Sequence, residues 1–257
     1  MRHAVPPITA VPAARYHYLQ ATRHPWPSLL FLLPLLAVYE CGVFWLGGSH
    51  PDEVRNGADA WLRWWLEAAG LRPLYLAPAL VLLALGIWSW QRRKDPPRDL
   101  LGVCTGMALE SVFFALGLWG IGRGLLPLLD HLGITLQVPG EIGARPPVAL
   151  APLITFVGAG IYEEVLFRLF LIWGLMWTLS LLHVPTVLRL LLAGLAAAVS
   201  FAAAHHVGPY GEPFDPLVFG FRAFAGLYFT ALFLGRGFGI AVGAHALYDV
   251  LAGLAVG

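Results

Sequence analysis

The sequence predicts an all-α protein, a polytopic bundle of transmembrane helices with seven or eight spans. Three observations carry that prediction. The 257 residues are 58% hydrophobic and only 12% charged, whereas soluble domains carry about 25% charged residues. Mean hydropathy is +0.72. The apolar residues also fall in runs near the length of about 20 that a helix needs to cross a bilayer. Such a composition excludes a disordered chain, a collagen and a soluble coiled coil. A net charge of +1 leaves no basic footprint for nucleic acid. Cys41 and Cys104, the two cysteines, sit inside apolar runs as small hydrophobes, without disulfide-scaffold number or zinc-type spacing.

Each run can be justified in turn. Residues 1–27 carry Arg2, Arg15 and Arg23 with several prolines and no short apolar core, so they read as a lead-in rather than a signal peptide. Trp26 then suits the aromatic belt at the mouth of the first span, 28–46, which only Glu40 interrupts. Segment 47–73 is expected to be interfacial. Its stretch 60–71, with Trp61, Trp64 and Trp65, reads either as an amphipathic helix on the membrane surface or as a cap over the bundle. Spans follow at 74–90, with Pro78 near its start, and at 100–122, with the single acid Glu110. The run 149–182 is too long for one ordinary crossing. It reads as one tilted, kinked helix or as a crossing followed by an interfacial helix. Residues 190–206, 217–234 and 237–256 complete the set. The loop 91–99 holds Arg92, Arg93, Lys94 and Arg98. Seven spans put it on the same side as the N-terminus, and the positive-inside rule makes that side cytoplasmic. The expected setting is multi-pass in a bacterial inner membrane. No fixed-period repeat or duplicated half is visible, which disfavours the common transporter architectures.

Charges at membrane depth are costly, so each one is a functional candidate. They are Glu40, Glu110, Glu163, Glu164, Arg168, His205, His206, Arg222, His245 and Asp249, most of them in the last hundred residues. Glu164 and Arg168 are i,i+4 and can pair on one helix face. Glu163 is rotated about 100° away, so it is expected to be the free acid and a plausible general base. Phe201 and His205 end a helix rich in alanine and glycine (Ala193, Gly194, Ala197, Ala198, Ala202), which lets a neighbour approach closely. Of the adjacent histidines, His206 is read as the bystander. His245 and Asp249 again are i,i+4 on one face, so the carboxylate can fix the imidazole, or both can contact one water or metal. Glu40 and Glu110 either face the cavity or pair with Arg222. There is no His-Glu-x-x-His, which disfavours a zinc peptidase of the site-2 type. Gly-x-Gly-Asp is also absent, and the one Gly-x-Ser, at 47–49, lies at a span edge.

The ordered set Glu163-Glu164-x-x-x-Arg168, Phe201-x-x-x-His205 and His245-x-x-x-Asp249 resembles the CPBP family. That family contains CaaX prenyl endopeptidases and bacteriocin-processing and self-immunity (Abi) proteins. The resemblance covers roughly 149–256 and divides the chain into a lead-in (1–27), N-terminal membrane helices (28–148) and a catalytic core (149–257). It implies a membrane-embedded endopeptidase with a polar, water-accessible cavity among the C-terminal helices. Glu163 and His205 would activate water, and His245 with Asp249 would stabilise the oxyanion. Glu164 and Arg168 would hold the site together, with Phe201 packed beside it. Family members often carry asparagine where this chain has Asp249. An ionised carboxylate cannot donate to an oxyanion, so Asp249 is protonated, an orienter of His245, or a metal ligand. A glutamate-activated water without obligatory cofactor is favoured. If the enzyme depends on a divalent ion such as zinc, Glu163, His205, His245 and Asp249 are the ligand candidates. The expected partners are the lipid bilayer and a peptide delivered through it: a prenylated CaaX protein, a bacteriocin leader or a C-terminal sorting signal. The rivals are a non-catalytic ion or metal carrier, a haem anchor using His205, His206 and His245, and an immunity scaffold without turnover.

Overall fold

The computed structural model describes residues 18–71, 75–93, 97, 99–131, 150–208 and 211–254. Most of the lead-in and of the connection before the C-terminal helices therefore lies outside the described residues. The described elements are helices throughout: α1 (Pro25–Gly47), a 3-10 turn (Pro51–Glu53), α2 (Gly57–Ala68), α3 (Leu76–Gln91), α4 (Leu100–His131), α5 (Leu150–Glu164), a π-helical segment (Val165–Leu171), α6 (Ile172–Leu181), α7 (Thr186–Ala204), α8 (Pro216–Arg236) and α9 (Phe238–Leu254). Five helical stretches are long and apolar enough to cross a membrane, and α3 and α9 are shorter apolar helices. Together they account for the seven expected runs, and the chain is an all-α, multi-pass membrane protein.

Local chemistry sets the helix boundaries. The His24 ring caps α1 by accepting from Trp26 N at 3.2 Å, with Pro25 in the first turn. Asp215 caps α8 by accepting from Leu217 and Val218. Gly237, at φ +108°, separates α8 from α9 and allows a reversal that an L side chain would resist. The outward faces of the spans are as apolar as the interior: Leu101, Phe113, Val187 and Leu191 are all exposed. Lipid is as good a solvent for such surface as the protein core, so burial of apolar area does not by itself fix which faces meet. Small residues and polar contacts fix them instead.

Of the long run, Leu150–Leu181 form one continuous helical rod, α5–α6, rather than a crossing and a separate interfacial helix. It contains the π segment, which begins directly after Glu164. Wide i→i+5 turns of this kind recur at functional sites. Helix α9 packs chiefly against α4 and α5, and α7 against α8. At Gly160 a methyl group would lie 2.7 Å from Ala246 Cβ and 2.8 Å from Val242 O, so α5 and α9 approach backbone to backbone. Gly226 does the same against Ala198 Cα at 2.8 Å, which confirms the close approach expected of the small-residue helix α7.

Two sets of contacts mark the ends of the bundle. At one end the His24 ring lies 3.0 Å from Arg92 O, and Arg23 donates to Gly235 O at 2.7 Å. At the other, Thr155 donates to Val54 O at 3.0 Å, and helix α2 closes over the bundle. Stretch 60–71 packs on the bundle as the cap reading expects. Ala58, Asp59 and Leu62 are buried, while Trp64 and Trp65 face outward.

Candidate active site

The polar set expected from the sequence converges where α5, α7, α8 and α9 meet. Arg168 and Glu164 are fully buried and pair at 3.0 Å between Nη1 and Oε1. Arg168 Nη2 also donates to Gly226 O at 3.1 Å. Its guanidinium lies over the rings of Phe201 (4.7 Å) and Phe229 (5.6 Å), a setting that suits a planar cation in a dry interior. The same Glu164 oxygen lies 2.8 Å from His245 Nδ1. Glu164 therefore joins α5 to α9 as well as pairing along its own helix.

His245 is buried and stacked on Phe229, with centroids 4.4 Å apart and planes 14° from parallel. Phe201 meets it edge-on at 5.6 Å and meets His205 at 5.1 Å. With Nδ1 engaged by Glu164, Nε2 is the nitrogen that faces the site. It lies 3.5 Å from Asp249 Oδ2 and 3.8 Å from Glu163 Oε2. Both ring nitrogens thus face carboxylates, the surroundings of a doubly protonated ring. His205 is the C-cap residue of α7, one position past the span. Its Nδ1 lies 2.8 Å from Phe201 O, which assigns the proton to Nδ1 and leaves the Nε2 lone pair pointing to Glu163 Oε2 at 4.0 Å. Burial lowers the His205 pKa, and the Glu163 charge only partly opposes this.

Glu163 is buried but differs from Glu164 in having one oxygen uncommitted. Oε1 accepts from Asn56 Nδ2 at 3.1 Å, whereas Oε2 has no hydrogen-bond partner among the described residues. Asn56 was invisible to the sequence reading. Its Oδ1 caps α2 by accepting from Ala58 N at 2.8 Å, so the amide nitrogen must be the end that meets Glu163. The only local signal was its place before a helix-forming run. Phe229 was also missed, because a phenylalanine in an apolar span carries no mark of its own.

The remaining charges resolve differently from expectation. Neither Glu40 nor Glu110 pairs with Arg222. Glu110 takes Arg236, with Nε to Oε2 at 2.8 Å. Glu40 accepts from Tyr162 at 2.8 Å and lies 3.5 Å from Arg55. Arg55 in turn donates to the buried Asp59 at 2.7 Å, and Tyr39 donates to Asp59 at 2.9 Å. This network fastens the α2 cap to α1 and α5. Arg222 pairs with Glu212 at 2.8 Å. The His206 ring lies 2.9 Å from Glu212 O and packs against Phe214 and Phe219.

A cavity of about 320 Å³ adjoins the site, lined by His205, His245, Asp249, Arg222, Phe201 and Phe229 among others. A larger hollow of about 390 Å³, with Trp88 and Trp173 in its wall, lies apart from these groups and is almost entirely apolar.

Residues 145–251 match the family described as type II CAAX prenyl endopeptidase, Rce1-like. This region belongs to the CPBP/CAAX protease family. No curated protein and no solved structure matches the chain. The CAAX-type match spans every residue of the convergent set except Asn56, and it supports a membrane-embedded endopeptidase acting on a peptide.

Proposed function

We propose that Glu163, His205 and His245 hold and activate the water that hydrolyses the substrate peptide bond. The observation that carries this reading is the pair of separations from Glu163 Oε2, 4.0 Å to His205 Nε2 and 3.8 Å to His245 Nε2. Both are too long for a direct hydrogen bond and short enough for one oxygen to bridge. That oxygen donates to the Glu163 carboxylate and the His205 lone pair, and accepts from the His245 N–H. As it attacks the carbonyl carbon, Glu163 takes its proton. His245, kept protonated by Glu164 on one side, donates to the developing oxyanion, while Asp249 acts as orienter of that ring. The proton on Glu163 then passes to the leaving amine as the C–N bond breaks.

The metal-dependent version calls on Glu163, His205, His245 and Asp249. The second nitrogen of each imidazole meets a carbonyl or carboxylate, as zinc-bound histidines require. However, zinc at about 2.0–2.1 Å from each donor puts ligand atoms roughly 3.3–3.4 Å apart, and Glu163 Oε2 is wider than that from both rings. Among the described residues no group of three such side chains is spaced to hold an ion, so no step is routed through one.

The N-terminus is proposed to be cytoplasmic. Counting crossings from there puts Asn56, His205 and Asp215 on the opposite face. The substrate is then a membrane-anchored polypeptide cut close to its C-terminus at the extracytoplasmic surface.

The test is peptide cleavage by the purified, detergent-solubilised protein, with metal analysis alongside. Glu163→Gln, His205→Ala and His245→Ala should each lower kcat/KM by about 100-fold or more, with wild-type activity surviving chelation. Full activity in all three variants would sink the assignment. Stoichiometric zinc with chelator-sensitive cleavage would replace the water-only mechanism.

A further inference from the structure

The larger hollow, of about 390 Å³, falls within the size range of ligand pockets. Trp88 of α3, Trp173 and Met176 of α6, Leu190 of α7 and Phe233 of α8 contribute to its wall. Trp88 and Trp173 meet edge-on, with centroids 5.9 Å apart. Trp173 and Leu190 are both exposed, so the hollow opens on the outer surface of the bundle, where the bilayer lies. An apolar hollow with no occupant forfeits dispersion contacts along its wall. The acyl chains of the surrounding lipid are the apolar groups at hand to restore them. Among the described residues, the one charged side chain in the lining is Arg23, in the turn before α1.

Arg23 gives the hollow a cationic mouth. It is exposed, and its Nε donates to Gly235 O at 2.7 Å. Nη1 and Nη2 have no partner among the described residues. Glu110 and Asp99, described acids towards this end of the bundle, are engaged elsewhere: Glu110 holds Arg236, and Asp99 accepts from Gly102 N at 2.8 Å. Trp26 in the first turn of α1 and the exposed Trp90 near the end of α3 mark the level of the membrane interface. Arg23 therefore lies at headgroup depth. The free end of a guanidinium suits a phosphate, and basic pockets between membrane helices receive anionic headgroups. We propose that an anionic glycerophospholipid occupies this site, with its phosphate on Arg23 and one acyl chain in the hollow. The site is separate from the groups assigned to hydrolysis and does not depend on that assignment.

Native mass spectrometry of the full-length protein in detergent tests this. The probes are dioleoyl phosphatidylglycerol, dioleoyl phosphatidylcholine (the same chains without net charge) and inorganic phosphate. Phosphatidylglycerol should be held roughly 10-fold or more tightly than phosphatidylcholine, as a charge-assisted hydrogen bond allows. Arg23→Gln should lower it to the level of phosphatidylcholine, and Arg23→Lys should keep part of the difference. Arg93, whose guanidinium lies 4.3 Å from the Trp90 ring centroid, is the control for general basic surface: Arg93→Gln should leave the preference intact. Leu190→Trp, at an exposed position, should fill the hollow and release the lipid. Equal retention of the two lipids, or of neither, overturns the proposal, as does an undiminished preference in Arg23→Gln or its loss in Arg93→Gln. Retention unaffected by Leu190→Trp overturns the hollow as the seat of the chain. Displacement of the lipid by inorganic phosphate reduces the site to a headgroup contact and overturns it equally.

Discussion

Asn56 commits both ends of its amide, one to the start of α2 and the other to Glu163. A residue outside the matched region thereby orients the proposed base and leaves Oε2 as the oxygen free to act. Aspartate caps a helix as well as asparagine does, so Asn56→Asp should leave α2 in place. It would nevertheless replace a donor to Glu163 with a second negative charge. Thermal stability should change little, while kcat falls roughly tenfold or more. A kcat within twofold of wild type would show that Glu163 needs no such support. Glu163 and His205 stood out as ionisable groups at membrane depth, and Phe201 entered with the resemblance to the CPBP motifs. Glu164 with Arg168 and His245 with Asp249 were read from spacing, because i,i+4 neighbours on a helix declare themselves. Contacts between distant segments do not. The second role of Glu164, as acceptor for His245, depends on α9 arriving beside α5, and no local pattern encodes that.

Among elements, the contact between α5 and α9 governs the site geometry most directly. Gly160 lies one turn before Glu164, against the turn of α9 that carries His245. Gly160→Val would insert a side chain where even Cβ lies 2.7 Å from Ala246, against the backbone amide as well as Cβ. The helices must separate, at a cost of about 1–3 kcal/mol for an overpacked core. Movement of His245 away from Glu164 should also remove most cleavage activity. A melting temperature and a turnover rate both unchanged would show that the contact is slack. The glycines and alanines of these helices were legible as small-residue faces. Which partner each would meet was not, since glycine is as compatible with one neighbour as with another. The π turn was equally hidden: the excess length of 149–182 announced a departure from a simple crossing, but a wide turn, a kink and a break share one composition.

For the molecule as a whole, the seven runs and the helical class were plain in the sequence because a bilayer imposes length and apolarity together. The pairing of Glu40 and Glu110 was not, since long side chains choose partners by three-dimensional reach. Orientation is testable directly. In a background with Cys41 and Cys104 replaced by alanine, a single cysteine at Asp215 should react with a membrane-impermeant maleimide on intact cells. A cysteine at Arg93 should react only after lysis. The opposite labelling pattern would move the site to the cytoplasmic face and change the substrates it can meet.

The ion pair inside the rod has a consequence for how this protein is made. Glu164 and Arg168 belong to one continuous helix, so each enters the bilayer already accompanied by its counter-charge. The imidazole that completes the set, His245, belongs to α9, the last described helix, which follows the rod in chain order. On the proposed mechanism, a ribosome-bound intermediate lacking that helix carries a neutralised pair and no oxyanion donor. A chain inserted only as far as α8 would then be unable to cleave its own neighbours, and the proposed hydrolytic set assembles only once α9 has joined the bundle.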